Sequence, residues 1–282
     1  MLIFLRLLKL NETLFALPFA YCGLLLAYKS AEEFSLVKII WITLAMVGAR
    51  TFGMLMNRVI DKHIDSMNPR TKDRDLPSGR VNVLSILLIG FFALVIFLYS
   101  AFMLNDMAFY LSPIAAAYML IYSYTKRFTW LSSFFLGGVL AIAPSGAWIG
   151  VNGSLGVEPI ILSLGVALWA TSFDILYHIQ DVDFYSVNKL HSFSSRFGIA
   201  ISVKATKLLD LISVLMLILL GAVADLSLVY YIGPIIVGCI LFYKHRYISY
   251  HGVIVGSQKF FRLNPIVSFS VFFAILGSLI VT

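Results

Sequence analysis

Two stretches of the chain carry acids at one-turn spacing. In the first, N-R-V-I-D-K-H-I-D, Asn57, Asp61 and Asp65 stand four residues apart, so on a helix they stack along one face. Three oxygen-bearing side chains in a row repel one another when bare and make sense around a hard divalent cation. A solvated helix end with scattered acids is the plainer alternative. The second stretch, D-I-L-Y-H-I-Q-D-V-D-F-Y, sets Asp174, Tyr177, Asp181 and Tyr185 at steps of three, four and four, again a single stripe. Asp183 points away from that stripe while the helix persists. Asp174 lies well inside an apolar run, where a carboxylate is costly and marks function, unless it pairs with a buried base such as Arg50.

Mg²⁺ binds through one or two carboxylates plus substrate phosphates and keeps some of its water. Two acidic stripes facing each other therefore suggest a metal-bridged diphosphate between them. The basic residues agree. Asn68 opens N-P-R-T-K-D-R-D-L-P-S-G, in which Arg70 and Arg74 are one turn apart if helical. The segment Y-S-Y-T-K-R offers Tyr122 and Lys126 at the same four-residue step. A phosphate takes paired donors from arginine and a point charge from lysine. Arg80 and Arg127 read as ordinary anchors on the basic side of a membrane.

The elements that must hold these residues are membrane helices. Of the 282 residues, 60% are hydrophobic and 12% charged, about half the roughly 25% charge of a soluble domain. So few charges leave a water-soluble particle unable to cover its surface. That excludes a disordered chain, a coiled coil, a secreted disulfide scaffold and a DNA-binding domain together. Cys22 and Cys239 both fall inside apolar runs, so neither a disulfide framework nor a zinc site is expected. Runs of ~20 apolar residues suffice to cross a bilayer. Nine are found, near 13–30, 36–60, 81–103, 106–124, 128–150, 157–179, 207–225, 226–244 and 264–282. The short joins at 103–106 and 225–227 leave eight or nine as the count.

The basic residues test that count. With the N-terminus inside, 17 of the 21 fall in inside segments, from Arg6 and Lys9 to Lys259 and Arg262. Lys29 and Lys38 lie outside, and Arg50 and Arg58 within a span. The bias predicts a cytoplasmic N-terminus and, with nine spans, an outside C-terminus. Met1–Asn11 offers a short helix on the inner surface, with an uncleaved start-transfer helix as the preferred reading. The long polar segments 61–80 and 180–206 are both inside, so the chemistry is expected on the cytoplasmic side of a multi-pass protein, the inner membrane in a bacterium. Segment 61–80, with Gly79 as a hinge, is a candidate lid over the diphosphate. Asp61 and Asp181 are 120 residues apart, as are Lys126 and Arg246. This hints at a pseudo-repeat of helices 1–4 and 5–8 within one domain, 1–282.

These residues resemble a family. Asn57 to Asp65 with the segment that follows is similar to the first aspartate-rich motif of the UbiA superfamily of intramembrane prenyltransferases, and Asp174 to Asp181 is similar to its second. Both motifs, the Y-x-x-x-K-R step and nine helices occur in the same order, over essentially the whole chain. The resemblance implies an all-α polytopic bundle of nine transmembrane helices around a central cavity, capped on the cytoplasmic side. It also implies Mg²⁺-dependent transfer of a polyprenyl group from polyprenyl diphosphate to an acceptor. By the same carry-over Asn57, Asp61 and Asp181 organise the metal, with Asp65 close by. Lys126, Tyr122, Arg70 and Arg74 hold phosphate oxygens, and Asp174 and Tyr177 lie where the prenyl carbon meets its acceptor. The chain departs from the motif at Tyr185, where the family usually has an acid.

Such a site suits the reaction. Metal and cations neutralise the leaving diphosphate, and aromatic faces stabilise the allylic cation in a dry cavity. Arg50, seven residues before Asn57 and buried in a span, calls for an anion. In relatives that prenylate 4-hydroxybenzoate, a similar arginine meets the acceptor carboxylate. The expected acceptor is therefore an aromatic acid, 4-hydroxybenzoate or a dihydroxynaphthoate, in ubiquinone or menaquinone biosynthesis. Haem, chlorophyllide and glycerol phosphate are the alternative acceptors, and a secondary transporter is the rival from another class.

Overall fold

The computed structural model describes residues 10–30, 35–261 and 263–281. Arg6, Lys9 and Arg262 lie outside the described residues, as do residues 1–9 of the surface helix offered by Met1–Asn11. The described chain is helical throughout. In order it forms α1 (Leu10–Ser30), α2 (Leu36–Met67), α3 (Val83–Leu104), α4 (Asp106–Thr125), α5 (Ser132–Asn152) and α6 (Val157–His178). There follow a 3₁₀ turn (Ile179–Asp181), α7 (Val182–Val187), α8 (Phe193–Val223), a second 3₁₀ turn (Leu228–Tyr231), α9 (Ile232–His251), α10 (Val253–Phe261) and α11 (Asn264–Val281). Among the described residues, eight helices are long and apolar enough to cross a membrane, and α1 contributes a shorter apolar stretch, Ala16–Lys29. Large apolar side chains such as Phe91, Phe92, Phe102 and Phe242 are exposed on these helices, the surface expected of a chain solvated by lipid rather than water.

Three boundaries differ from the sequence reading, each for a local reason. Helix α2 runs on through Met67, because Asp61, Ile64 and Asp65 form a buried face that continues the stripe past the apolar run. Helix α8 starts at Phe193, not near 207. Ser192 and Ser195 cap it reciprocally, each hydroxyl accepting from the other's backbone N–H, and such a box fixes a helix start whatever the hydropathy. The helix then breaks at Gly198, where φ is 80°, a conformation suited to glycine. The third difference is α10, a short helix in what hydropathy alone reads as a loop.

The chain divides into two compact units, Met1–Leu14 with Ser35–Tyr124 and Phe15–Phe34 with Thr125–Thr282. In the first, α2 packs along α3. Gly48 permits the crossing, since a Cβ there would lie 2.8 Å from the Ala93 carbonyl oxygen and the Phe97 nitrogen. Leu55 of α2, Leu76 of the following segment and Ile86 of α3 form a buried cluster.

In the second unit α6 packs between α5 and α8 and is the most enclosed of the long apolar helices. Gly137 of α5 brings α6 close, because a Cβ there would be 2.4 Å from Thr171 Oγ1. Trp169, with ring centroids 5.3 Å from Phe19 of α1 and 5.0 Å from Phe173, anchors the centre of α6. The helix that carries Asp174 is therefore packed along most of its length.

Candidate active site

The first stripe keeps its register on α2. Asp61 is buried, and Asn57 Nδ2 donates to Asp61 Oδ2 at 3.0 Å and to Ser123 Oγ of α4 at 3.2 Å. Both contacts are donations from nitrogen, so the carbonyl oxygen is what Asn57 has to offer a cation. One turn on, Asp65 is also buried, and it is held by arginine. Arg74 Nη1 donates to its two oxygens at 2.9 and 2.7 Å, and Arg58 Nη1 is 3.8 Å from Oδ2. Arg50 lies partly buried in α2, two turns before Asn57.

The segment after α2 is a run of hydrogen-bonded turns rather than a helix. Arg70 N–H donates to Asn68 Oδ1 at 2.9 Å, Thr71 Oγ1 to the Asp65 carbonyl at 3.0 Å, and Ser78 N–H to the Arg74 carbonyl at 3.0 Å. Arg80 pairs with Asp75 at 2.8 Å and donates to the Asp73 carbonyl. Leu76 pins the middle of the segment into the buried cluster with Leu55 and Ile86. Arg70 and Arg74 thus leave the common helical face that their spacing suggested. Arg70 is exposed, and Arg74 turns back onto Asp65.

In the second unit, Asp174 is buried near the end of α6. His178, one turn later, places Nδ1 3.1 Å from Asp174 Oδ2. Tyr177 is partly buried beside it, the Tyr177 and His178 ring centroids being 6.4 Å apart. The α-helix ends at His178 and tightens into the 3₁₀ turn that carries Asp181, which is buried. Asp183 is exposed. Tyr185 is buried and packs its ring 5.7 Å from that of His178, so an aromatic face fills the position where the motif usually closes with an acid. Lys126 follows the last residue of α4, which carries Tyr122. Its carbonyl accepts from His191 N–H at 2.8 Å, tying that turn to the segment before α8.

Several site residues were not singled out from the sequence. Ser123 reaches Asn57 from another helix, with no local sequence signal, whereas Arg58 was legible in principle, standing seven residues before Asp65 on the same helical face. His178 was legible in principle, since D-x-x-x-H puts the two side chains on one helical face. Asp210 of α8 and Lys244 of α9 form a buried ion pair at 2.5 Å, and Lys244 Nζ also donates to Ser172 Oγ of α6 at 3.3 Å. Partners 34 residues apart on different helices leave no local pattern.

The donor set suits Mg²⁺. Asn57 and Asp61 in the first unit, and Asp181 in the second, each offer oxygen and no sulfur, the choice of a hard cation. Among the described residues no three His, Cys, Asp or Glu side chains cluster tightly enough to form a cage. A metal that shares its coordination with phosphate and water needs none.

Comparison with known proteins gives the family. Residues 16–274 match the UbiA prenyltransferase family. The chain is 31% identical to the 4-hydroxybenzoate octaprenyltransferase of Marinobacter nauticus, over 95% of this chain and 91% of that one. It is 32% identical to the protoheme IX farnesyltransferase of Korarchaeum cryptofilum, over 72% and 70%. The solved apo structure of a UbiA homologue from Aeropyrum pernix K1 superposes with a TM-score of 0.85 at 28% identity, covering 95% of this chain and 98% of that one. A homologue from Archaeoglobus fulgidus, solved with GPP and Mg²⁺, shares the fold at a TM-score of 0.71 and 18% identity, over 96% and 99%. This chain belongs to the UbiA prenyltransferase family and is a multi-pass integral-membrane prenyltransferase.

Proposed function

We propose that the chain transfers a polyprenyl group from its diphosphate to an aromatic acid, 4-hydroxybenzoate or a dihydroxynaphthoate, in quinone biosynthesis. The observation that carries the acceptor class is Arg50. It is a cation within a membrane-spanning helix, two turns deeper than Asn57, and a cation at that depth is matched to an anion. In this reading the acceptor carboxylate approaches the Arg50 guanidinium alongside the groups of the protein that already hold it. The similarity to a 4-hydroxybenzoate octaprenyltransferase over nearly the full chain supports it.

In this reading Asn57, Asp61 and Asp181 hold Mg²⁺, which when bound neutralises charge on the leaving diphosphate. Asp65 holds Arg74 through Nη1 alone, leaving Nε and Nη2 for phosphate oxygens. Lys126, Tyr122 and Arg70 supply further donors. As the prenyl C–O bond breaks, the rings of Tyr177 and Tyr185 face the allylic cation. The acceptor ring carbon then forms the new C–C bond, and its proton passes to the Asp174–His178 pair. Diphosphate leaves, and no redox partner is needed. The distribution of basic residues supports a cytoplasmic location for this chemistry, with one domain formed by the whole chain.

A protohaem acceptor is the second reading, favoured by the farnesyltransferase relative. The two separate in one experiment. Purified protein in detergent is given geranyl diphosphate, Mg²⁺ and, in turn, 4-hydroxybenzoate, a dihydroxynaphthoate, a carboxylate-free phenol and protohaem, with products read by mass. A prenylated aromatic acid, with no reaction at the phenol, is the expected result. Product from protohaem alone overturns the aromatic-acid reading. Absence of both product and released diphosphate under every condition overturns the transferase reading in favour of a carrier.

A further inference from the structure

Helices α8 and α9, both in the second unit, enclose a groove of about 500 Å³. Its two walls are graded in the same way. On α8, Lys207 is followed at steps of four and three by Leu211 and Val214. On α9, Gly238 and Phe242 are followed, again at steps of four, by Arg246. Consecutive spans run in opposite directions, so both cations stand at one end of the groove and both apolar stretches lead away from it. Gly238 leaves room at the far end, where a Cβ would only just touch Val214 at 3.7 Å.

The floor of the groove fixes its charge. Asp210 Oδ2 contacts Lys244 Nζ at 2.5 Å and His245 Nε2 at 2.6 Å. The carboxylate is therefore matched by the buried lysine beneath it. Lys207 and Arg246 are exposed and make no ion pair with the described residues. Arg246 rests on the Tyr250 ring, 5.2 Å from its centroid. Beyond the Asp210–Lys244 pair, the charged end of the groove presents Lys207 and Arg246. A lone basic residue near a helix end needs only water or a lipid headgroup in passing. Two cations at the mouth of a shaped apolar groove form instead a surface complementary to an amphiphile with one anionic end.

We propose that this groove seats one anionic phospholipid, its phosphate between Lys207 and Arg246 and an acyl chain against Leu211, Val214 and Phe242. The floor is tied to the helix that carries Asp174, because Lys244 Nζ donates to Ser172 Oγ of α6 at 3.3 Å. The seated lipid thus packs against the same framework that holds α6 in place, and the groove lining includes no residue of the acidic stripes.

The test is native mass spectrometry of the full-length protein in detergent, with phosphatidylglycerol or phosphatidylcholine of identical acyl chains. The wild type is expected to retain phosphatidylglycerol over phosphatidylcholine by on the order of tenfold. The Lys207→Gln/Arg246→Gln variant is expected to bring that ratio to near one. The Lys189→Gln/Arg196→Gln variant, with the same change in net charge at exposed positions elsewhere in the unit, is expected to keep it. Because all four side chains are exposed, each variant should fold, and equal melting temperatures confirm that it has. A photoactivatable phosphatidylglycerol should label peptides of α8 and α9 in the wild type. No preference in the wild type, equal loss in both variants, or displacement of the lipid by inorganic phosphate at matched concentration each overturns the proposal.

Discussion

Arg74 Nη1 bonds both carboxylate oxygens of Asp65, at 2.9 and 2.7 Å, across nine residues of chain. The third acid of the stripe is thus matched by a cation from its own following turns, while Asp61 remains with Asn57. In the proposed site Asp65 therefore acts through Arg74, as a positioning residue. Asp65→Asn should raise the KM for the prenyl diphosphate about tenfold, the scale of one charge-assisted bond, and leave the acceptor KM unchanged. The double variant Asp65→Asn/Arg74→Ala should be no worse than Arg74→Ala alone, since the two side chains act as one unit. Donor kinetics followed by diphosphate release decide it, and strictly additive losses would give Asp65 a separate role.

Asp61 and Asp181 carry the metal in the same proposal. Asp61→Ala and Asp181→Ala should each lower Mg²⁺-dependent turnover by about a hundredfold or more, because charge on the leaving diphosphate then goes unneutralised. Asp61→Asn separates charge from shape, as it keeps a partner for Asn57 Nδ2. It should need a higher Mg²⁺ concentration for half-maximal rate. Wild-type rates in both alanine variants would remove these residues from the metal site.

What could be read from the sequence follows from how local each signal is. The stripe Asn57–Asp61–Asp65 was legible because one helix carries it and four-residue spacing alone sets the face. The helices were legible as long apolar runs in an otherwise poorly charged chain. The start of α8 was not, because a reciprocal Ser192–Ser195 cap outweighs hydropathy, and a window over 180–206 reads polar. The direction of Arg74 was also hidden. Its spacing from Arg70 suits a helix, but Pro69 and the turns after Asn68 break that register, and only the fold returns it to Asp65. The Asp210–Lys244–His245 cluster depends wholly on the packing of α8 against α9.

That cluster makes a prediction about stability. Lys244 is 3% exposed, and its Nζ lies 2.5 Å from Asp210. Removing one partner of a buried pair leaves an uncompensated charge, at a cost of roughly 3–5 kcal/mol. Lys244→Met should therefore lower the melting temperature in detergent strongly. Lys244→Met combined with Asp210→Leu should recover most of the loss, because apolar residues of similar volume often replace a buried pair without penalty. A double variant as unstable as the single one would mean that His245 and Ser172 depend on the pair for more than charge balance.

Arg50 tests the acceptor class. Replacing it with alanine should raise the KM for an aromatic acid by about tenfold or more, as expected for the loss of a charged partner in a poorly hydrated site. Donor KM should stay unchanged. The matched comparison is a carboxylate-free analogue, whose weak turnover should not respond to the substitution. An equal response by both compounds would make Arg50 a structural cation instead.

Asp174 and His178 make the most specific mechanistic prediction. In the proposed reaction the acceptor ring loses a proton after the new C–C bond forms, and His178 Nδ1 stands 3.1 Å from Asp174 Oδ2, so the carboxylate can orient the imidazole and stabilise its protonated form. His178→Ala should lower kcat about a hundredfold, a usual scale for loss of a positioned general base, with both KM values nearly constant. The discriminating readout is a ring-deuterated acceptor. In the wild type deuterium should have no effect, because breaking of the prenyl C–O bond is expected to limit the rate. In His178→Ala the slow step shifts to proton removal, and a primary isotope effect appears. A variant that is slow but still blind to deuterium would show that His178 only packs against Tyr185. The proton would then leave by another route.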